Sequence, residues 1–172
     1  WCGAVIAVSR HDYDSMHEDG YRVSLIENGC PDVRLLKTSN RRLVPKLLEL
    51  RATGLPIVIM LARNAPPKRI DIARETARLL YGVANIVWIG GEHFEDDPHN
   101  FIAFGQGAGM SAYLRFCDIF LLLSDHEGLS LSLLEGMSSG LPCVTSAIGG
   151  CLEAMDLGGP GISKFGFAVP ND

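Results

Sequence analysis

Nothing in this sequence approaches the roughly 20 consecutive apolar residues that a membrane-spanning helix needs. Nor is there a basic surplus: 15 Lys and Arg stand against 20 Asp and Glu, a net charge of −5. That balance argues against a surface that coats nucleic acid or docks on membranes through a polybasic patch, and still allows a local basic pocket. No secretory leader is expected. The five cysteines (Cys2, Cys30, Cys117, Cys143, Cys151) are scattered, odd in number and free of C-x-x-C spacing, and the five histidines form no H-x-x-x-H pair. Such a pattern offers neither a disulfide framework nor a zinc site; reduced, buried thiols in a cytoplasmic protein, with no metal, are the expectation. Internal repeats, low-complexity stretches and long linkers are also missing.

What is present is ordinary globular material: 47% hydrophobic and 20% charged residues over 172 positions, enough for one domain with a substantial core. Patterning predicts strands at Ala4 to Val8 and Tyr21 to Glu27, with Ser9 capping a short helix between them and an Asn28-Gly29 turn after. Ser39 is expected to cap a helix reaching about Ala52, with Leu43, Leu47 and Leu48 as its apolar face. A strand at Pro56 to Leu61 and a helix at Lys68 to Tyr81 follow. Further strands are expected at Asn85 to Ile89, Asn100 to Phe104, Asp118 to Leu123 and Cys143 to Ser146. Helices are expected at Met110 to Phe116, Ser130 to Ser139 and after Gly149-Gly150. Strand–helix alternation of this kind implies an α/β fold, a Rossmann-like parallel sheet with helices on both faces.

The most informative stretch lies between the strand ending at Leu123 and the helix that starts near Ser130. Glu127 and Gly128 fall on a strand-to-helix turn, at the edge of an open α/β sheet where ligands bind, and Glu135 lies more than a turn into the helix. Free N–H groups near Gly128, Leu129, Ser130 and Leu131 would suit an anion, with glycine allowing close approach. Carboxylates accept hydrogen bonds only, so Glu127 and Glu135 would suit the hydroxyls flanking a diphosphate. On spacing alone, a loop acid and a solvated helix acid are the preferred readings.

A second loop, Leu61-Ala62-Arg63-Asn64-Ala65-Pro66-Pro67-Lys68-Arg69, also follows a strand and so reaches the same edge. Arg63 and Lys68 are matched to a diphosphate that gains charge as a bond to it breaks, and equally readable as loop charges in water.

Together these residues resemble a known family. The run Glu127-Gly128, Glu135-Gly136-Met137, Gly140-Leu141-Pro142, Gly149-Gly150 and Glu153 is similar to the Glu-x(7)-Glu region of retaining glycosyltransferases of the two-Rossmann-domain (GT-B) type, family-4-like, group 1. In that family the region belongs to the C-terminal, donor-binding domain. Arg63 and Lys68 fall on the basic positions of its Gly-Arg-…-Lys-Gly loop, with Ala62 and Arg69 in place of the usual glycines. Val23 to Gly29 resembles the strand and Asn-Gly turn near the interdomain hinge, and Phe104 to Gln106 the segment beside the nucleobase.

The resemblance implies transfer of a hexose, with retention, from a UDP-, GDP- or ADP-sugar to a glycan, lipid or other acceptor. Glu127, Arg63 and Lys68 would be the catalytic group. Gly128, Leu129, Ser130, Glu135, Arg63 and Lys68 would bind the donor without a metal or other cofactor. It also implies one donor domain spanning residues 1–172. The acceptor domain, with any peripheral membrane contact, would lie in a missing N-terminal half and the C-terminal end would be truncated, so the piece alone transfers little. Half of a GT-B epimerase or phosphorylase, or a non-catalytic nucleotide-sugar module, are the alternatives. Glu153 is expected to complement the N-terminus of its own helix, His126 to be an exposed loop histidine, and Asp14, His17 and Glu18 to form a solvated face.

Overall fold

Short runs of β-branched and apolar residues that alternate with amphipathic segments need cover on two faces, and the chain supplies it. The computed structural model describes residues 4–37 and 43–171. In chain order the elements are β1 (Val5–Ala7), α1 (Arg10–Glu18), β2 (Val23–Leu25), α2 (Leu43–Arg51), β3 (Ile57–Leu61), α3 (Ile70–Leu79) and β4 (Asn85–Ile89). Then come β5 (Phe101–Phe104), β6 (Ile119–Leu122), α4 (Leu131–Ser138), β7 (Cys143–Ser146), α5 (Gly149–Ala154), β8 (Gly161–Ser163) and β9 (Gly166–Val169).

The main sheet has seven strands in the order β5-β4-β3-β6-β7-β9-β8, parallel except where β8 runs antiparallel to β9. Strand β3 shows why both faces are buried. Ile57 and Ile59 point into a core shared with Leu43, Leu47, Phe120 and Leu133, whereas Val58 and Met60 join Ile70, Ala73, Ala77 and Trp88 on the other side. From β3 the chain moves outward to β4 and β5, then returns to lay β6 on β3's other flank. The β3/β6 junction is therefore the point where strand order reverses, and the loops leaving the carboxyl ends of those strands open a crevice there.

Several expectations are corrected. β1 and β2 pair only with each other, as a separate parallel two-stranded sheet linked through α1, instead of extending the main sheet. On α2 the third buried leucine is Leu50, and Leu48 is 53% exposed. The spacing 43, 47, 50 follows one helical stripe, and Leu48 stands about 100° away from Leu47. The Met110–Phe116 segment is a 3₁₀ helix, entered through Gly109 at φ 68°. The β8–β9 hairpin was not foreseen; its strands are short and each begins with glycine, so no alternation shows. Ser39 lies outside the described residues. No described helix is long and apolar enough to cross a membrane.

Candidate functional site

The two loops that the sequence singles out meet at the reversal point. Ser124, buried at the end of β6, donates from its hydroxyl to the Pro67 carbonyl (2.8 Å), and the Asp125 N–H donates to the same oxygen (2.8 Å). Ser124 is itself held from β7, its N–H donating to Ser146 Oγ (3.0 Å). The β3–α3 loop is thus fastened to the β6–α4 loop, and Lys68 is brought onto Glu127. Their side chains form an ion pair with only 18% and 10% of their surfaces exposed.

Two adjoining cavities occupy the crevice. One, about 320 Å³, is lined by Ala62, Arg63, Gly90, Gln106, Ser111 and Glu135. The other, about 380 Å³, is lined by His11, Asp12, Lys68, Glu127, Gly128 and Gly149, and again by Arg63. Arg63 therefore stands between an acid on one side and an acid–base pair on the other. Its guanidinium is exposed and makes no ion pair or hydrogen bond among the described residues. Glu135 is fixed by Ser111, whose hydroxyl donates to Glu135 Oε1 (2.7 Å). Sequence reasoning missed Ser111, which sits on the 3₁₀ helix with no motif around it. Of the Phe104 to Gln106 segment, Gln106 lines this cavity, its amide donating to the Gly90 carbonyl (3.3 Å).

Gly128 has a structural role that the sequence did not reveal. A methyl group there would lie 2.8 Å from Asp12 Oδ2 and 3.1 Å from Val8 Cγ2, and one on Gly150 would overlap the Gly128 carbonyl. Gly150 needs glycine because it packs on backbone, whereas at Gly128 a Cβ would press on Val8 and displace the Asp12 carboxylate. Leu129 and Ser130 lead from this contact into α4. The Leu129 carbonyl accepts from the Asn28 side chain (2.7 Å), tying the Asn-Gly turn to the site, and Ser130 is buried as the helix N-cap. No side chain caps α4, so its N-terminal amides remain available to an anion.

Arg69 does not reach for a phosphate. Its guanidinium bonds Asp71 (3.0 Å) and Asp125 (3.1 Å), contacts that raise its already high pKa. Glu153 serves a helix N-terminus, though that of α1 and not its own: its carboxylate accepts from the N–H groups of Arg10 (2.8 Å) and His11 (3.1 Å). His126 is exposed, as are Asp14, His17 and Glu18. Cys117, Cys143 and Cys151 are buried, and burial pushes their thiols up to about 12, 12 and 11; Cys30 is half-buried.

The reversal point of a parallel α/β sheet thus carries a basic residue between two acid-bearing cavities. The chain belongs to the family described as glycosyl transferases group 1, whose model matches residues 55–172. It is 33% identical over 108 residues to the N,N'-diacetylbacillosaminyl-diphospho-undecaprenol alpha-1,3-N-acetylgalactosaminyltransferase of Campylobacter jejuni, covering 58% of this chain and 29% of that protein. To the UDP-Gal:alpha-D-GlcNAc-diphosphoundecaprenol alpha-1,3-galactosyltransferase of Escherichia coli it is 28% identical over 165 residues, 84% of this chain and 42% of that one. Anabaena HepE in complex with UDP-glucose superposes over 100% of this chain and 51% of its own, with a TM-score of 0.76 at 21% identity. The chain spans between 29% and 51% of the length of these proteins, and its fold is that of one half of a GT-B glycosyltransferase.

Proposed function

We propose that this chain is the donor-binding part of a retaining glycosyltransferase that moves a hexose from a nucleoside diphosphate sugar to a glycan, lipid or other acceptor. The supporting observation is the position of Arg63, unpaired and shared by the two cavities, with Glu135 beyond it on one side and Lys68–Glu127 on the other. In this reading the nucleoside occupies the Gln106–Glu135 cavity, with the ribose diol donating to Glu135 and the base against Gln106. The diphosphate lies on Arg63 and the α4 amides, and the sugar enters the cavity of Glu127.

Breaking the bond between the anomeric carbon and the β-phosphate oxygen leaves its electron pair on that oxygen. Arg63, Lys68 and the α4 N-terminus face this growing charge, which stabilises the transition state more than the ground state. The acceptor oxygen bonds the anomeric carbon from the side the phosphate leaves, and its proton passes to the departing phosphate. Fixed cations and helix amides take the part that a metal plays in other transferases. Residues 1–172 form the donor half, the acceptor is bound by a further domain of the full-length protein, and the reaction is cytoplasmic.

The relatives' names support UDP-sugars as the first donors to try. The test is to follow transfer by the full-length protein from UDP-, GDP- and ADP-hexoses and read the anomeric configuration of the first product by NMR. Retention with one nucleotide is expected. Inversion, or no turnover with any of them, would contradict the proposal.

A further inference from the structure

Helix α1 lies before the family-matched region and connects the two strands of the small sheet, yet its first turn forms a wall of the sugar-side cavity. It is held there from both sides. Glu153 of α5 grips the N–H groups of Arg10 and His11, and His11 sits where a methyl group on Gly149 would have to go. Ser9 caps the turn, accepting from the Asp12 N–H (3.1 Å). Asp12 is thereby set against Gly128, its Oδ2 occupying the space that a side chain there would fill.

The charged groups around Asp12 differ in what they have left to offer. Lys68 and Glu127 are committed to each other, and Asp125 to Arg69. The Asp12 carboxylate has no hydrogen-bond or ion-pair partner among the described residues. It is half-buried and lines the cavity. An acceptor-only group in that state suits a neutral O–H donor and repels phosphate, so it belongs at the sugar end of the ligand.

We propose that Asp12 accepts a hydrogen bond from a hydroxyl of the transferred hexose and so helps select the donor sugar, with Glu153 as the positioning residue that holds α1 over the cleft. This rests on the donor-cleft reading above. A hydrogen bond to a charged group contributes about 1.5–3 kcal/mol, which corresponds to roughly a 10- to 100-fold change in affinity. Discrimination arises because a sugar lacking that hydroxyl leaves the carboxylate unpaired.

The experiment measures, by calorimetry on the full-length protein, the dissociation constants of UDP, GDP and ADP and then of the matching glucose, galactose and N-acetylhexosamine donors. Wild type is compared with Asp12→Ala, Asp12→Asn and Glu153→Gln. Asp12→Ala is expected to weaken the preferred sugar nucleotide about tenfold or more, leave the bare nucleoside diphosphate unchanged, and flatten the ranking among sugars. Glu153→Gln should shift the same ratio in the same direction by less. Thermal unfolding of each variant shows whether the fold is kept, so that a shifted ratio in a folded Asp12→Ala reports the lost sugar contact. An unchanged ratio in Asp12→Ala overturns the role of Asp12. Absence of binding by wild type to any of the three nucleoside diphosphates would overturn the donor-cleft reading itself.

Discussion

Lys68 and Glu127, 59 positions apart, are ion-paired across the junction of β3 and β6 with little of either side chain exposed. Each comes from a loop that the Pro67 carbonyl fastens to the other. Removing one member leaves the other charged in a poorly solvated site. The usual cost of that in a buried pair is about 3–5 kcal/mol, and partial exposure here puts Glu127→Leu or Lys68→Met alone on the order of 2–3 kcal/mol. The double variant Lys68→Met with Glu127→Leu should recover most of the loss while abolishing transfer. Urea unfolding of wild type, the two single variants and the double variant in a double-mutant cycle checks the cost and its recovery.

Ser111 orients Glu135 from the 3₁₀ helix by its 2.7 Å hydrogen bond. Loss of such a bond contributes about 0.5–1.5 kcal/mol, so Ser111→Ala should weaken nucleotide binding by roughly two- to tenfold. The effect should vanish in a Glu135→Ala background, where there is no carboxylate left to orient. Calorimetry on the single and double variants reads this directly.

Gly136 lies buried in α4 against β6, and a methyl group there would stand 2.5 Å from Cγ of the Phe120 ring. Helix propensity favours alanine over glycine by about 1 kcal/mol, whereas overpacking a tight core costs about 1–3 kcal/mol. Packing outweighs propensity because the ring is fully buried and has nowhere to move. Gly136→Ala should therefore lower stability by up to about 2 kcal/mol in denaturant unfolding, against the direction that propensity alone would give.

Burial holds the thiols of Cys117, Cys143 and Cys151 protonated well past the usual range. In the unfolded chain they ionise from about pH 8.5 upward. Between that pH and about 11 the folded state binds more protons than the unfolded one, so stability falls as pH rises through this window. Replacing the three cysteines by alanine should flatten the decline between pH 8.5 and 11. Stability against pH, followed by urea unfolding, shows whether it does.

Much of this site was legible because its parts are local in sequence. Arg63 and Lys68 follow one strand, Glu127 and Gly128 another, and the rule that ligands bind at carboxyl edges brings the loops together. What stayed hidden depends on distant partners. Glu153 meets N–H groups 142 and 143 positions away, and Asp12 reaches Gly128 only because α1 docks there. Ser111 has no motif to mark it. The separation of β1 and β2 from the main sheet is likewise a matter of which strands pair, which periodicity does not encode. Leu48 was misplaced for a simpler reason: the buried stripe runs through Leu43, Leu47 and Leu50, and Leu48 stands off it on the exposed side.

In the proposed donor cleft Arg63 carries a nucleoside diphosphate between the two cavities. The most direct test is calorimetric titration of wild type and Arg63→Ala with UDP, GDP and ADP. Arg63 is exposed and unpaired, so the substitution should change folding stability by no more than about 0.5 kcal/mol. One nucleotide is expected to bind wild type, and Arg63→Ala to weaken it by about tenfold or more, as loss of a charge-assisted contact requires. Equal affinity in the two proteins, or no binding by folded wild type, would contradict this role of Arg63.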